Sequence, residues 1–322
     1  MNLQVRIEPP VDGDTLITAA IGPAGEALTL WGPPDLKERV YARTVHPNGV
    51  SSAASQSEPW SARIVTTRPD GDSTVTAIGT LSLTFPHLQP LPDGRFLLAG
   101  TRCAFRDGAA EHNAAIIGPD GAVIRTGTLG DGINDVQTTP SGRIIVGYFD
   151  EGIFGNFGWG GPTGPEPIGA GGIVEFDGDL RPVWSYPGSV EEAPWIADCY
   201  ALNVTGEDIW ASIYPDFPVA RICDGQISVW ANALAAGAPA ILVAEKTIGW
   251  LGGYHVAGDI MTVGELADAA STPRSTHRIT KQAAASLAKS PAVYGRDSKL
   301  HQITGTGEWY TLDLATVRDG RG

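Results

Sequence analysis

A hairpin that returns along the chain constrains this sequence more than any other feature. Its clearest copy spans residues 129–156, two apolar strands joined by the turn Pro140-Ser141-Gly142, with acidic residues at both outer ends. Leu91-Pro92-Asp93-Gly94-Arg95-Phe96-Leu97-Leu98 aligns on Thr139-Pro140-Ser141-Gly142-Arg143-Ile144-Ile145-Val146. The pattern recurs at Val204–Ala211 and Thr247–Leu251, and more weakly at Ile21–Leu28 and Arg296–His301. Most hairpins are followed by a second pair of short strands, at 113–118 and 122–128, 172–177 and 182–186, and 218–222 and 226–230. Asp-Gly and Pro-x-Gly turns join them. Four antiparallel strands in about 40–65 residues make one blade of a β-propeller. The sequence therefore predicts an all-β chain, a single six-bladed β-propeller over residues 1–322. Its first strands should start near residues 15, 85, 134, 199, 239 and 291. Leu3–Ile7 is expected to complete the sheet of Leu300–Ile303 and Trp309–Leu314, closing the ring with strands from both termini and removing an exposed edge. Glu38–Glu58 reads as a polar surface excursion of blade one, and Gln282–Ala288 as a short helix or a loop.

Composition agrees with many short strands, with 41 glycines and 24 prolines. The formal charge of −14 argues against nucleic acid and anionic membrane as partners and is compatible with a cationic small ligand. No run of apolar residues is long enough to span a membrane, and the N-terminal residues lack a cationic start followed by an apolar core. Cys103, Cys199 and Cys223 are widely spaced without a zinc pattern, so free thiols in a reducing, cytoplasmic setting are expected.

In a propeller the first strand of each blade lines the channel. Its start, and the end of the second strand, open on one face. The repeat alignment places His87, Asp135, Tyr200, Pro239 and Pro291 at first-strand starts, and Arg102, Asp150, Pro215, Tyr254 and Thr306 at second-strand ends. Blades two to four thus bring His87, Arg102, Asp135, Asp150, Glu151 and Tyr200 to one mouth as candidate catalytic groups. Asp131, Asn134 and Asp198 enter the same strands. Two carboxylates about 5 Å apart repel by about 3 kcal/mol at an effective dielectric near ~20. A divalent cation, the Arg102 guanidinium or a raised pKa is needed to relieve such a group. Oxygen ligands from Asn134, Asp135, Asp150 and Glu151 suit calcium or magnesium. Alternatively, these carboxylates cap loop amides between blades. Residues Phe154–Gly172 form a long loop over the same mouth, a length common in functional segments. Its Phe154, Asn156, Phe157 and Trp159, with Trp195 and Asp198 nearby, are placed either to hold a ring-shaped ligand or to pin the loop. No nucleophile elbow, phosphate loop or dinucleotide fingerprint occurs.

The run Asn134-Asp135-x-x-x-x-Pro140-x-Gly142-Arg143 resembles a motif of the regucalcin/gluconolactonase family of six-bladed propellers. That resemblance implies a divalent metal used in lactone hydrolysis, with Asn134 as a ligand and Asp135 beside it. The family's second asparagine ligand aligns on Cys199. Gly-Asp-Gly-x-x-Asp-Val-Gln at 130–137, Tyr-Phe-Asp-Glu-Gly at 148–152 and Asp-Cys-Tyr-Ala-Leu-Asn at 198–203 are similar to runs in propeller proteins of actinobacterial type, which implies the fold and no activity. Two functions compete. One is a small-molecule enzyme, a metal-assisted hydrolase or lyase. The other is a scaffold binding a small ligand or a partner protein without chemistry.

Overall fold

Turns rich in glycine and aspartate cut the chain into strands too short to stand alone, and each group of four strands pairs into a sheet. The computed structural model describes residues 1–45, 51–187, 193–267, 270–279 and 292–318. Six four-stranded antiparallel sheets surround a central channel, as a six-bladed β-propeller requires. Blade one comprises Thr15–Ile21, Ala27–Gly32, Gln56–Thr67 and Ser73–Leu83. Blade two follows with Pro86–Leu91, Arg95–Gly100, Ala114–Ile117 and Val123–Gly127. Blade three is Ile133–Thr138, Ile144–Tyr148, Ile173–Phe176 and Pro182–Ser185. Asp198–Thr205, Asp208–Tyr214, Val219–Cys223 and Gln226–Trp230 make blade four. Blade five holds Ala240–Ala244, Thr247–Gly253, Val256–Ala267 and Ala270–Arg278.

Blade six closes the ring from both ends of the chain. Ala292–Arg296, Lys299–Ile303 and Glu308–Asp313 form its inner three strands, and Asn2–Arg6 is the fourth, with Asn2 opposite Thr311 and Arg6 opposite Glu308. The six first strands begin within a residue or so of the positions expected from the repeat. Pro291 and Gln282–Ala288 lie outside the described residues. The excursion expected at Glu38–Glu58 leaves the sheet between the second and third strands of blade one, and only its bounds shift, to lie between Gly32 and Gln56. The chain first forms a helix, Pro34–Val40, that starts on proline and buries Leu36 and Val40. It then makes a ribbon of Arg43–Val45 and Ser51–Ala53 before entering the third strand at Gln56. That spacing of Leu36 and Val40, one helical turn apart, is the apolar signal the polar composition masks.

Both faces of each blade pack on neighbouring blades, so the central strands are buried and mostly apolar. Every residue of Ala27–Gly32 and Ile144–Tyr148 is buried. The core is a series of inter-blade layers around the ring. Ile17, Leu28 and Ile64 meet Leu88 and Leu98 between blades one and two. Trp250 and Ile241 meet Trp210 between blades four and five, and Ile7, Ile303 and Trp309 meet Leu16 and Trp31 between blades six and one.

The innermost strands have one edge with no fifth strand to pair it, and buried backbone groups there need partners. A belt of side chains meets that need. Gln137 Nε2 donates to the Leu202 carbonyl at 2.9 Å, and its Oε1 accepts from Val204 N at 2.9 Å. Gln89 Oε1 accepts from Thr138 N at 3.2 Å. Asn203 Nδ2 donates to Ile241 O at 2.8 Å and Asp297 O at 2.9 Å, and its Oδ1 accepts from Asp297 N. Arg296 of blade six crosses the channel to donate to Thr138 O at 2.6 Å and Gln137 Oε1 at 3.2 Å in blade three. Gln89, Gln137, Asn203 and Arg296 are all buried. Gln137→Ala leaves the Leu202 carbonyl, the Val204 amide and Arg296 short of partners. It should cost about 3 kcal/mol in a denaturant melt, whereas Gln4→Ala, which removes an exposed contact to Thr311, should change stability by less than about 0.5 kcal/mol.

Candidate functional site

The upper ends of three first strands carry β-bulges at matching places, between Leu16 and Thr18, Ile133 and Asp135, and Cys199 and Ala201. A bulge leaves one residue outside the ladder and re-aims its side chain. Here Asn134 and Tyr200 are released in this way, and both line the mouth. A central cavity of about 360 Å³ is bordered by Tyr41, His87, Asn134, Asp135, Tyr200 and Tyr294. Below it, His87, Asp135, Gln137 and Arg296 surround a void of about 40 Å³. Through Phe85 and Thr101 the central cavity adjoins one of about 440 Å³ lined by Arg43, Arg102, Phe149, Glu151, Asn156 and Phe157. Through Asn134, Tyr200 and Pro239 it adjoins another of about 520 Å³ lined by Asp198 and Tyr254. The three form a trough across the mouth.

Asp135 occupies the floor. Its Oδ1 accepts from Val136 N at 2.8 Å, and Gln137 Nε2 lies 3.4 Å from Oδ2. Burial raises its carboxyl to about 6, against which these hydrogen bonds and the Arg296 charge pull down. His87 is also enclosed. Burial lowers it to about 4, its Nε2 lies 2.9 Å from Thr101 Oγ1, and a hydrogen bond to Ile133 pulls the other way.

Arg102 organises the first flank. Its guanidinium lies over the Phe157 ring at 4.3 Å from the centroid and near Phe149 at 5.4 Å. It pairs with Asp131 at 2.9 Å and with Glu151 at 2.5 Å. Two glycines bring these acids together. A Cβ on Gly132 would stand 2.3 Å from Gly152 N, and one on Gly152 would stand 2.3 Å from Asp131 O. Only bare backbones pack this closely. Asp131 also accepts from Cys103 N, yet burial still lifts it to about 6.

Asp150 and Glu151 do not extend the second strand but open a short helix, Asp150–Phe154, and part company there. Glu151 turns to Arg102. Asp150 accepts from the Glu151 amide and faces Asp198, whose carboxyl is raised to about 6 by burial and by that neighbouring charge. The expected single carboxylate cluster is thus corrected to three settings: Asp135 in the channel, Asp131 and Glu151 on Arg102, and Asp150 with Asp198. The residues also fit a divalent ion poorly. Among the described residues no three acidic, histidine or cysteine side chains gather as ligands, and Cys199, at the place of the second asparagine, is buried.

The aromatic candidates divide as well. Trp159 is buried, donates to Cys103 O at 2.8 Å and touches Phe105, so it anchors the loop and has no face left for a ligand. Phe157 covers Arg102, and Asn156 borders the same cavity. Phe154 and Trp195 are exposed and meet edge to face at 6.3 Å. Sequence analysis left Arg43, Phe85, Tyr294 and Arg296 out of the site. It aligned Tyr254 on the second-strand ends without giving it a role.

Arg102→Met strands Asp131 in the interior. It should cost about 3–5 kcal/mol in a denaturant melt, part of which the added change Asp131→Asn restores. A pH series isolates Asp135. Its folded value of about 6 exceeds the ordinary 3.8, so the folded chain binds the proton more tightly. Stability from this group therefore rises as pH falls from 7 towards 4, while His87, held below its ordinary 6.5, acts in the opposite sense. Asp135→Asn removes only the first contribution. The wild type should gain about 2 kcal/mol relative to that variant between about pH 7 and 4.

A profile of the YxzG family matches residues 187–242, which cover blade four and the start of blade five. No curated protein matches the chain. Among solved structures, the PQQ-bound aldose sugar dehydrogenase from Streptomyces coelicolor is 12% identical with 97% of each chain covered and a TM-score of 0.45. A virginiamycin B lyase from Staphylococcus aureus is 9% identical over 96% of this chain and 98% of its own, at a TM-score of 0.44. A gluconolactonase from Xanthomonas campestris is 11% identical over 97% and 98%, at 0.43. Likeness at this level concerns the propeller fold and leaves function to the site.

Proposed function

We propose that this propeller is an enzyme acting on a small molecule, a hydrolase or lyase, with its chemistry on the floor of the trough and Asp135 as the proton-transferring group. The observation that carries this is a single enclosed carboxyl, raised to about 6, beneath an open cavity of about 360 Å³. At neutral pH such a group is mostly ionised, yet close enough to its pKa to take and return a proton. The Val136 amide fixes its orientation while the remaining lone pairs stay available. It would take a proton from water in hydrolysis, or from carbon in an elimination. The Tyr200 and Tyr294 side chains border the cavity above that group.

A binding propeller without chemistry is the second reading. It is favoured by His87, whose ring is already bonded to Thr101 and Ile133 and so lacks the freedom of an acid–base partner.

A panel of lactones, esters and substrates with an eliminable leaving group tests the choice. For any compound turned over, Asp135→Asn should lower kcat by about 100-fold or more while the protein remains folded. The wild-type kcat/KM should rise with pH through a pKa near 6. Turnover that survives Asp135→Asn within a few-fold would reject Asp135 as the catalytic group.

A further inference from the structure

The chain carries four exposed large aromatic side chains among its described residues, Phe154, Trp195, Tyr214 and Tyr254. Tyr254 lines the cavity that holds Asp198, Tyr214 stands opposite Asp198 in the strand ladder, and Phe154 meets Trp195 edge to face. Tyr200, Phe217 and Tyr254 stand mutually perpendicular, with interplanar angles of 89° and centroids 4.9 to 5.9 Å apart. A hydrogen bond joins the Tyr200 and Tyr254 hydroxyls, and Tyr214 packs on Phe217 at 5.5 Å. Phe217 is buried behind this corner, and both it and Asp216 adopt left-handed backbone conformations to reach that place. The adjoining cavity of about 520 Å³ has Asp198, Tyr200 and Tyr254 on its wall, and four glycines leave the rest open. Among the described residues neither Asp198 nor Asp150 forms a salt bridge, and the Asp150 charge adds to the burial that makes Asp198 costly to ionise.

We propose that this end of the trough binds the cationic end of the ligand, and that the group it takes is an alkylated ammonium. The inference rests on the same mouth serving the proposed function and names the class of molecule it takes. Aromatic faces attract a cation without needing hydrogen bonds, which suits an ammonium whose hydrogens are replaced by alkyl groups. A guanidinium would satisfy two of its N–H groups on the Asp198 carboxylate and leave the others facing tyrosine rings and glycines, whereas an alkylated ammonium has no such hydrogens to satisfy. A bare divalent ion requires six or so oxygen ligands, which the tyrosine-lined cavity lacks. The net charge of −14 concentrates cations around the whole molecule and adds to the local attraction.

Binding is measured without turnover, by calorimetry and by tryptophan and tyrosine fluorescence, on the full chain. The probes are choline, tetramethylammonium, 3,3-dimethylbutanol as the neutral isostere of choline, guanidinium and calcium. Choline and tetramethylammonium should bind, and the neutral isostere at least tenfold more weakly. Asp198→Asn and Tyr254→Leu should each weaken choline about tenfold or more. Gly258→Leu adds bulk at a lining position where a Cβ meets no atom within 4 Å, and it should weaken choline binding with the melting temperature unchanged. Equal binding of choline and its neutral isostere, preference for guanidinium or calcium, or no binding of choline would each overturn the inference. Because Asp135 is untouched in these variants, such a failure leaves the acid–base role of Asp135 standing. Loss of that role leaves the cation site standing.

Discussion

The molecule depends on how the inner edges of its sheets are satisfied. Six strands run down the channel wall, and each exposes a row of amides and carbonyls that no fifth strand covers. In water those groups would be solvated; in a narrow channel they need protein partners or they destabilise the fold. Gln89, Gln137 and Asn203 supply them, each reaching from its own blade to the next. The primary amide suits this work, having a donor and an acceptor on one short arm that mimic a strand's own backbone. The belt therefore does for the channel what ladder bonds do within a blade. It also marks the depth limit of the mouth, because any ligand meets this layer before it reaches the far side.

Above the belt, charge is sorted rather than pooled. Acidic groups that would repel one another are separated by the bulges and by the short helix after Tyr148. One pair is neutralised on Arg102, one carboxyl is left alone on the floor, and one pair remains unrelieved at the rim. Each arrangement gives a different chemistry from the same side chain. A paired acid holds a loop in place, a solitary enclosed acid is the setting proposed for proton transfer, and the rim pair is the one proposed to draw a cation. The trough is correspondingly asymmetric from end to end, with Arg43 and Arg102 set against Asp131 and Glu151 at one end and Asp198 without a salt bridge at the other.

The repeat made the fold legible, because turn residues and alternation are local and recur in register. Blade number, strand starts and ring closure all follow from it. Legibility ended where partners come from different repeats. Arg102 and Asp150-Glu151 align at equivalent places on successive hairpins, which places them at one mouth but not in one another's reach. Their fates are decided by the Gly132–Gly152 contact, which draws Glu151 to Arg102 and leaves Asp150 facing blade four. Gln89 and Gln137 show a signal that was present and unread: both occupy the same position of the aligned hairpin, six residues before Arg95 and Arg143. A glutamine that recurs at one register of successive first strands points to a channel role. The aromatic corner had no such signal, since Phe217 reaches Tyr200 and Tyr254 through a left-handed turn outside any repeat pattern.

Arg296 carries a consequence for the lineage of such rings. Its guanidinium spans from blade six to blade three, which are diametrically opposed in a ring of six. A side chain of fixed length is thus a gauge of the ring's diameter. Propellers gain or lose blades by duplication and deletion of whole repeats, and an added blade widens the channel much as added strands widen a barrel. In a ring of seven, this arginine would fall short of Thr138 and hang charged in the channel; in a ring of five, it would have no room. Blade count is therefore coupled to one cross-channel residue as well as to the sheet packing around it.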